Sequence, residues 1–157
     1  MEEGVNQGLV LIGIRAMGML RIEKGYRSWV AEITSEVTPH AAGLERFCSK
    51  TKDYIGRPVV EAERVTPPKK RFVTLAVDNT SPPCWGTEPV LKRGELIGYI
   101  TSGGMGWRTG KMLAVGWING DSVHNGDELG IQILMKYYKA VVVADPVYDP
   151  KNDILLG

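Results

Sequence analysis

Cysteine and histidine are scarce: the 157 residues hold two of each, Cys48, Cys84, His40 and His124. Two cysteines make no disulfide framework, so a reducing compartment is expected, the cytoplasm or the mitochondrial matrix. None of the four stands at ligand spacing from another, so no metal site is expected. Neither sign of charge dominates, with a net charge of +1. Such a chain generates no field to draw nucleic acid or an anionic membrane, and neither is expected as a partner. Long apolar runs are missing too. Residues 8–20 are only thirteen in number and include Arg15, against the roughly 20 a membrane span needs. Glu2 and Glu3 stand where a signal peptide would be basic. There is no Ser/His/Asp or Cys/His constellation, no repeat and no low-complexity stretch, and no catalytic residue is assigned.

A hydrophobic content of 43% suffices for one core, or one small domain and part of a second. Over 8–24, Leu9, Ile12, Ala16 and Met19 recur at three- and four-residue steps, and Val10, Ile14 and Met17 make a second stripe. That spacing predicts a helix apolar on two faces and therefore buried, ended by Gly25 in a left-handed conformation. Residues 26–55 are mixed, with Thr38-Pro39 as a breaker. A short helix is expected after Gly56, with Pro58 in its first turn. Pro67-Pro68 is the best boundary, giving segments 1–66 and 67–157. Beyond it the pattern becomes strand-like: Arg71–Val77, Pro89–Leu91, Leu96–Thr101, Leu113–Ile118, Leu129–Leu134 and Tyr138–Ala144, bounded by Gly, Asn or Asp. Arg93-Gly94 signals a hairpin. About six short strands with no helix between them make the chain α+β, a helical and mixed segment followed by a small antiparallel barrel or sandwich.

Glu23 is the most informative side chain. It prolongs the Leu9–Met19 stripe inward and sits in the last helical turn, where the dipole disfavours an anion. A carboxylate there needs donors. An ion pair with Arg27 or Arg21 supplies them; so does a ligand with two adjacent N–H groups, such as a pterin ring. Tyr26 and Trp29 follow, either as core or as a stack for a flat heterocycle. The run from Thr101 to Lys111 resembles a phosphate loop but has Met105 and Met112 where a Walker loop needs Gly and Ser or Thr. It reads as a glycine-rich turn between strands, from which Trp107 and Arg108 can face a ligand. Lys50, Lys52, Lys69, Lys70 and Arg71 form a solvated basic face or meet an anionic tail.

Leu20–Arg27, in one-letter code LRIEKGYR, resembles the LRLEKGYR stretch of the glycine-cleavage T-protein (aminomethyltransferase) family. It is most similar to the folate-binding half of sarcosine and dimethylglycine dehydrogenases. Thr38-Pro39 with Ala42-Gly43-Leu44, then Asp53–Arg57, Glu88-Pro89-Val90, Gly98–Lys111 and Asp145–Pro150 resemble further family segments in the same order. The resemblance covers about residues 10–151. It implies a tetrahydrofolate site in which Glu23 grips the pterin through its 2-amino group and N3–H. Tyr26 and Trp29 match positions near that site, Lys52 falls where some relatives carry Arg, and Trp107 stands where relatives often have His. It also implies that the barrel follows the end of an α/β domain. The family's N-terminal catalytic region has no counterpart in these residues. The expectation is therefore a folate-binding portion of an aminomethyl- or methyl-transferring, amine-demethylating enzyme. Another polypeptide would complete it, a flavin-dependent subunit among the candidates. A folate-independent assembly module of the same fold is the alternative.

Overall fold

Period-two alternation produces a sheet that closes on itself. The computed structural model describes residues 2–78, 81–120 and 123–157. Its strands are β1 (Lys70–Val77), β2 (Pro89–Lys92), β3 (Glu95–Gly106), β4 (Lys111–Asn119), β5 (Glu128–Ile133) and β6 (Lys136–Val143). They form a closed barrel in the order β1-β4-β3-β2-β5-β6. Every pairing is antiparallel. Inside lie Leu75, Val77, Ile100, Ala114, Ile118, Ile131 and Val142. Cys84 joins them, and burial, with the Glu88 charge second, pushes its thiol up to about 12. It is an inert core sulfur, not a nucleophile.

Strand β4 is buried on both faces from Met112 to Ile118. Its second face is covered by the N-terminal segment. Leu113 and Val115 pack with Ile22 and Met19, and Trp117 packs with Ala41 and Ala42. The same strand therefore seals the barrel and seats the helix that carries Glu23.

That helix, α2, runs only from Ile14 to Glu23 and follows a short α1 (Glu2–Asn6). The expected helix over 8–24 is too long. Gly8 takes a φ of +81° and Gly13 is the extended N-cap, so the chain between them is not helical. Nor is the segment buried, since Val10, Leu11, Ile12 and Ile14 are 64–79% exposed. The C-terminus behaves as predicted. Gly25 has φ +71°, Tyr26 N–H donates to Arg21 C=O at 2.8 Å and Gly25 N–H to Ile22 C=O at 3.1 Å. That is the paired closure of a Schellman motif. Helix α3 (Arg57–Val65) begins after left-handed Gly56 with Pro58 in its first turn, and α4 (Asp153–Leu156) lies near the C-terminus.

Two turns separate expectation from structure. Arg93-Gly94 is left-handed at both positions, φ 54° and 86°, as a two-residue hairpin requires. The β5–β6 hairpin turns instead on Leu134 and Met135, φ 46° and 66°. Neither is a turn former, so the alternation was extended through Leu134 where the strand stops at Ile133. The glycine-rich run is also more strand than turn: Thr101–Gly106 belongs to β3, and only Trp107–Gly110 reverses the chain. Its glycines serve close packing.

β3 and β4 approach so closely that a Cβ on Gly116 would lie 2.3 Å from the Tyr99 carbonyl oxygen. Gly116→Ala is expected to lower stability by about 1–3 kcal/mol through backbone displacement. Urea unfolding should show a lower midpoint at unchanged slope; an unchanged midpoint contradicts this account of β3–β4 packing.

Candidate functional site

The Schellman turn holds the last residue of α2 against the barrel. Glu23 is 1% exposed, beside Ile22, which anchors the helix on β4. The β3–β4 turn meets it with donors. Arg108 N–H at 2.9 Å, Thr109 N–H at 2.8 Å and the Thr109 hydroxyl at 3.0 Å all donate to Oε1. A Cβ on Gly106 would sit 2.8 Å from the same oxygen, so only glycine lets the turn come this near. The successive backbone amides form an anion-binding concavity filled by a side chain of the protein itself.

Oε2 is buried and has no hydrogen-bond partner among the described residues. The ion pair that spacing alone favours does not form. Arg21 is committed to Glu32, at 2.7 and 2.9 Å, and to the Ser102 hydroxyl at 2.9 Å. Arg27 is committed to Asp145 at 2.5 Å. Half of the Glu23 carboxylate is thus held by three donors, and half is left for something else. An unmet buried acceptor is costly.

Glu23 contributes to the wall of a cleft of about 470 Å³. Met17 and Leu20 of α2 line one side, and Tyr148, Ile154 and Leu155 of the C-terminal segment line another. The combination, mostly apolar with few polar groups, is typical of small-molecule sites. Three ties hold the C-terminal wall: Tyr148 N–H to Glu23 C=O at 2.9 Å, the Arg27–Asp145 pair, and Lys24. The Lys24 ammonium donates to Asp149 Oδ2 at 2.6 Å and to its carbonyl at 2.7 Å. The Lys24 hydrogen bond is the main cause holding the Asp149 carboxyl below its ordinary value.

The sequence-derived candidates divide. Glu23 and Tyr26 line this cleft, with Tyr26 half exposed, and so does Arg108. Trp29, 73% exposed, and Trp107, 79% exposed, are not among its lining residues. Lys52 lines a separate cleft of about 600 Å³ with Phe47 and Tyr54. The two clefts share no residue. Thr109, Tyr148 and Asp149 were missed as site residues. Thr109 hides in a turn sequence, and only the Asp145–Pro150 motif hinted at the C-terminal wall.

Two outcomes follow from this geometry. Glu23→Ala strands two backbone amides and a hydroxyl, and should cost about 1–3 kcal/mol in urea unfolding. Glu23→Gln, which keeps an acceptor, should cost less; equal losses contradict the donor assignment. For Asp149 the folded pKa is depressed, so the tie is intact above the ordinary value of 3.8 and weakens as pH falls below it. Amide exchange at Ile154 and Leu155 should speed up below that pH more than exchange in β4, and Asp149→Asn should remove the difference.

Comparison with known proteins places this architecture. Residues 70–149 match the family described as the glycine cleavage T-protein C-terminal barrel domain, and residues 1–52 match the GCVT N-terminal domain. Mouse mitochondrial sarcosine dehydrogenase is 32% identical over 100% of this chain and 18% of its own length. Human mitochondrial dimethylglycine dehydrogenase is 32% identical over 94% of this chain and 17% of its own. The aminomethyltransferase of Moorella thermoacetica is 31% identical over 92% and 40%. The chain therefore spans less than a fifth of the two dehydrogenases. The fold superposes on the Bartonella henselae glycine cleavage system aminomethyltransferase T with a TM-score of 0.80 at 23% identity, over 88% of this chain and 40% of that one. With its barrel, its order of motifs and more than half its length matched, the chain belongs to the glycine cleavage T-protein family.

Proposed function

We propose that this chain is the tetrahydrofolate-binding portion of an aminomethyl- or methyl-transferring enzyme. One observation carries the reading: a buried carboxylate with one oxygen saturated and the other without a donor, in the wall of a largely apolar cleft. A pterin presents a 2-amino group and an N3–H side by side. With Oε1 taken, Oε2 has two lone pairs to receive them as charge-assisted bonds, while Met17, Leu20 and Tyr26 cover the ring. Tetrahydrofolate, when bound, is the carrier that accepts the one-carbon unit. This chain's own contribution is orientation, holding a flat ring by its edge so that the rest faces the carbon donor.

No catalytic residue is assigned. The apolar side chains that stand free between Val10 and Ile14 support more protein packing on this face, and another polypeptide supplying the rest of the transferase fold is the partner proposed. A flavin-dependent subunit fits, because the similar dehydrogenases are oxidative enzymes by name. The matrix, where two relatives are named mitochondrial, or a bacterial cytoplasm is the compartment this reading assigns.

Isothermal titration of the chain with tetrahydrofolate tests it. Saturable binding is expected, weakened at least about tenfold, roughly 1.4 kcal/mol, in Glu23→Ala. The melting temperature of each variant checks that the fold survives. Absence of binding by the wild type, with and without a candidate partner, favours the folate-independent assembly module instead.

A further inference from the structure

The pterin edge has a third polar position that Glu23 cannot serve. Beside the 2-amino group and N3–H stands the 4-oxo oxygen, an acceptor. A site that reads the whole edge needs a donor next to the carboxylate. Three cations line the Glu23 cleft: Arg21, Lys24 and Arg108. Arg21 is occupied by Glu32, Ser102 and the Tyr26 carbonyl. Lys24 is occupied by Asp149. The Arg108 guanidinium alone of the three makes no hydrogen bond or ion pair among the described residues.

Its backbone is nevertheless anchored beside the carboxylate, while the side chain itself is exposed. The Arg108 backbone N–H lies 2.9 Å from Glu23 Oε1, so the residue is tied to the carboxylate it neighbours. The Gly106 approach holds the turn there. A cation whose backbone is tethered to a carboxylate in the same cleft, yet which is not paired with it, leaves both groups for a third party. Thr109 cannot take this part, because its hydroxyl is spent on Oε1.

We propose that Arg108 is the specificity-determining residue of this cleft, donating to the 4-oxo oxygen of the pterin and so selecting 4-oxo over 4-amino pteridines. The inference rests on the folate reading above. In a 4-amino ring the acceptor becomes a donor and N3 loses its hydrogen. The guanidinium then faces another donor, and one of the two bonds to Glu23 is lost. Discrimination of this kind, with polar groups left unpaired by the wrong ligand, is the strong kind.

The test titrates three ligands into the full chain under reducing conditions: tetrahydrofolate, its 4-amino counterpart tetrahydroaminopterin, and 6-methyltetrahydropterin, which has no glutamate tail. Wild type should prefer tetrahydrofolate over the 4-amino compound by about tenfold or more. Arg108→Met should weaken both 4-oxo ligands to a similar degree and lower the 4-oxo/4-amino ratio, leaving the part that the lost N3–H bond to Glu23 supplies. Arg108→Lys should restore part of the ratio. A ratio unchanged in Arg108→Met overturns the proposal. So does a loss confined to the ligand with the tail, which would make Arg108 a carboxylate clamp. Failure of the wild type to bind any of the three removes the folate reading itself, an outcome distinct from binding without discrimination.

Discussion

Three hydrogen bonds to one oxygen of Glu23 hold the arrangement together. They join the end of α2 to the β3–β4 turn, two parts of the chain about 85 residues apart. Without them the last helical turn would present an anion to its own unfavourable dipole end. With them the anion meets two amides and a hydroxyl, and the helix end becomes part of the barrel surface. The turn has to come within contact distance of a side chain, which explains Gly106. The helix has to stop there, which explains the Gly25 closure. The remaining oxygen is left over from an arrangement that is otherwise satisfied.

Around this point the charges are nearly all accounted for. Arg21 with Glu32, Arg27 with Asp145 and Lys24 with Asp149 each tie one segment to another. Glu32, itself 1% exposed, receives Arg21, the Ser28 amide at 2.6 Å and the Thr101 hydroxyl at 3.4 Å. Buried pairs of this sort fix geometry more reliably than they add stability. Here they use up the cations that would otherwise have closed on Glu23.

What the sequence disclosed follows from how local each signal is. The six strands were legible because alternation against one interior repeats every second residue, and Arg93-Gly94 carries its own turn chemistry. The Leu134-Met135 turn was not, because nothing in two long apolar side chains encodes a left-handed backbone. The start of α2 was misplaced because its apolar stripe continues through residues 9–13, where Gly8 and Gly13 interrupt the helix. Glu23 is buried as expected, but not along the stripe it was taken to extend: Leu9, Ile12 and Ala16 are exposed, and only Met19 packs with Ile22 on the barrel. Its partners were not legible, since Thr109 is brought to it only by the closure of β3 on β4. Trp29 was chosen for its nearness to Glu23 and Trp107 for its place in the glycine-rich turn, together with the family resemblance; both side chains are exposed.

The closure of the barrel has one further consequence. Closure is uneven: β2 and β5 pair at only two positions, and β3 runs on past its pairing with β2. Where β1 runs past the end of its pairing with β6 at Thr74–Val143, the Phe72 amide is taken by the Ala41 carbonyl at 2.9 Å. This open stretch of β1 is thus partly plugged by the chain's own loop, a common way of guarding an edge. At this edge, a strand added from outside would have to displace the Ala41 carbonyl first. The same plug works against runaway polymerisation in a chain that leaves many apolar side chains in water.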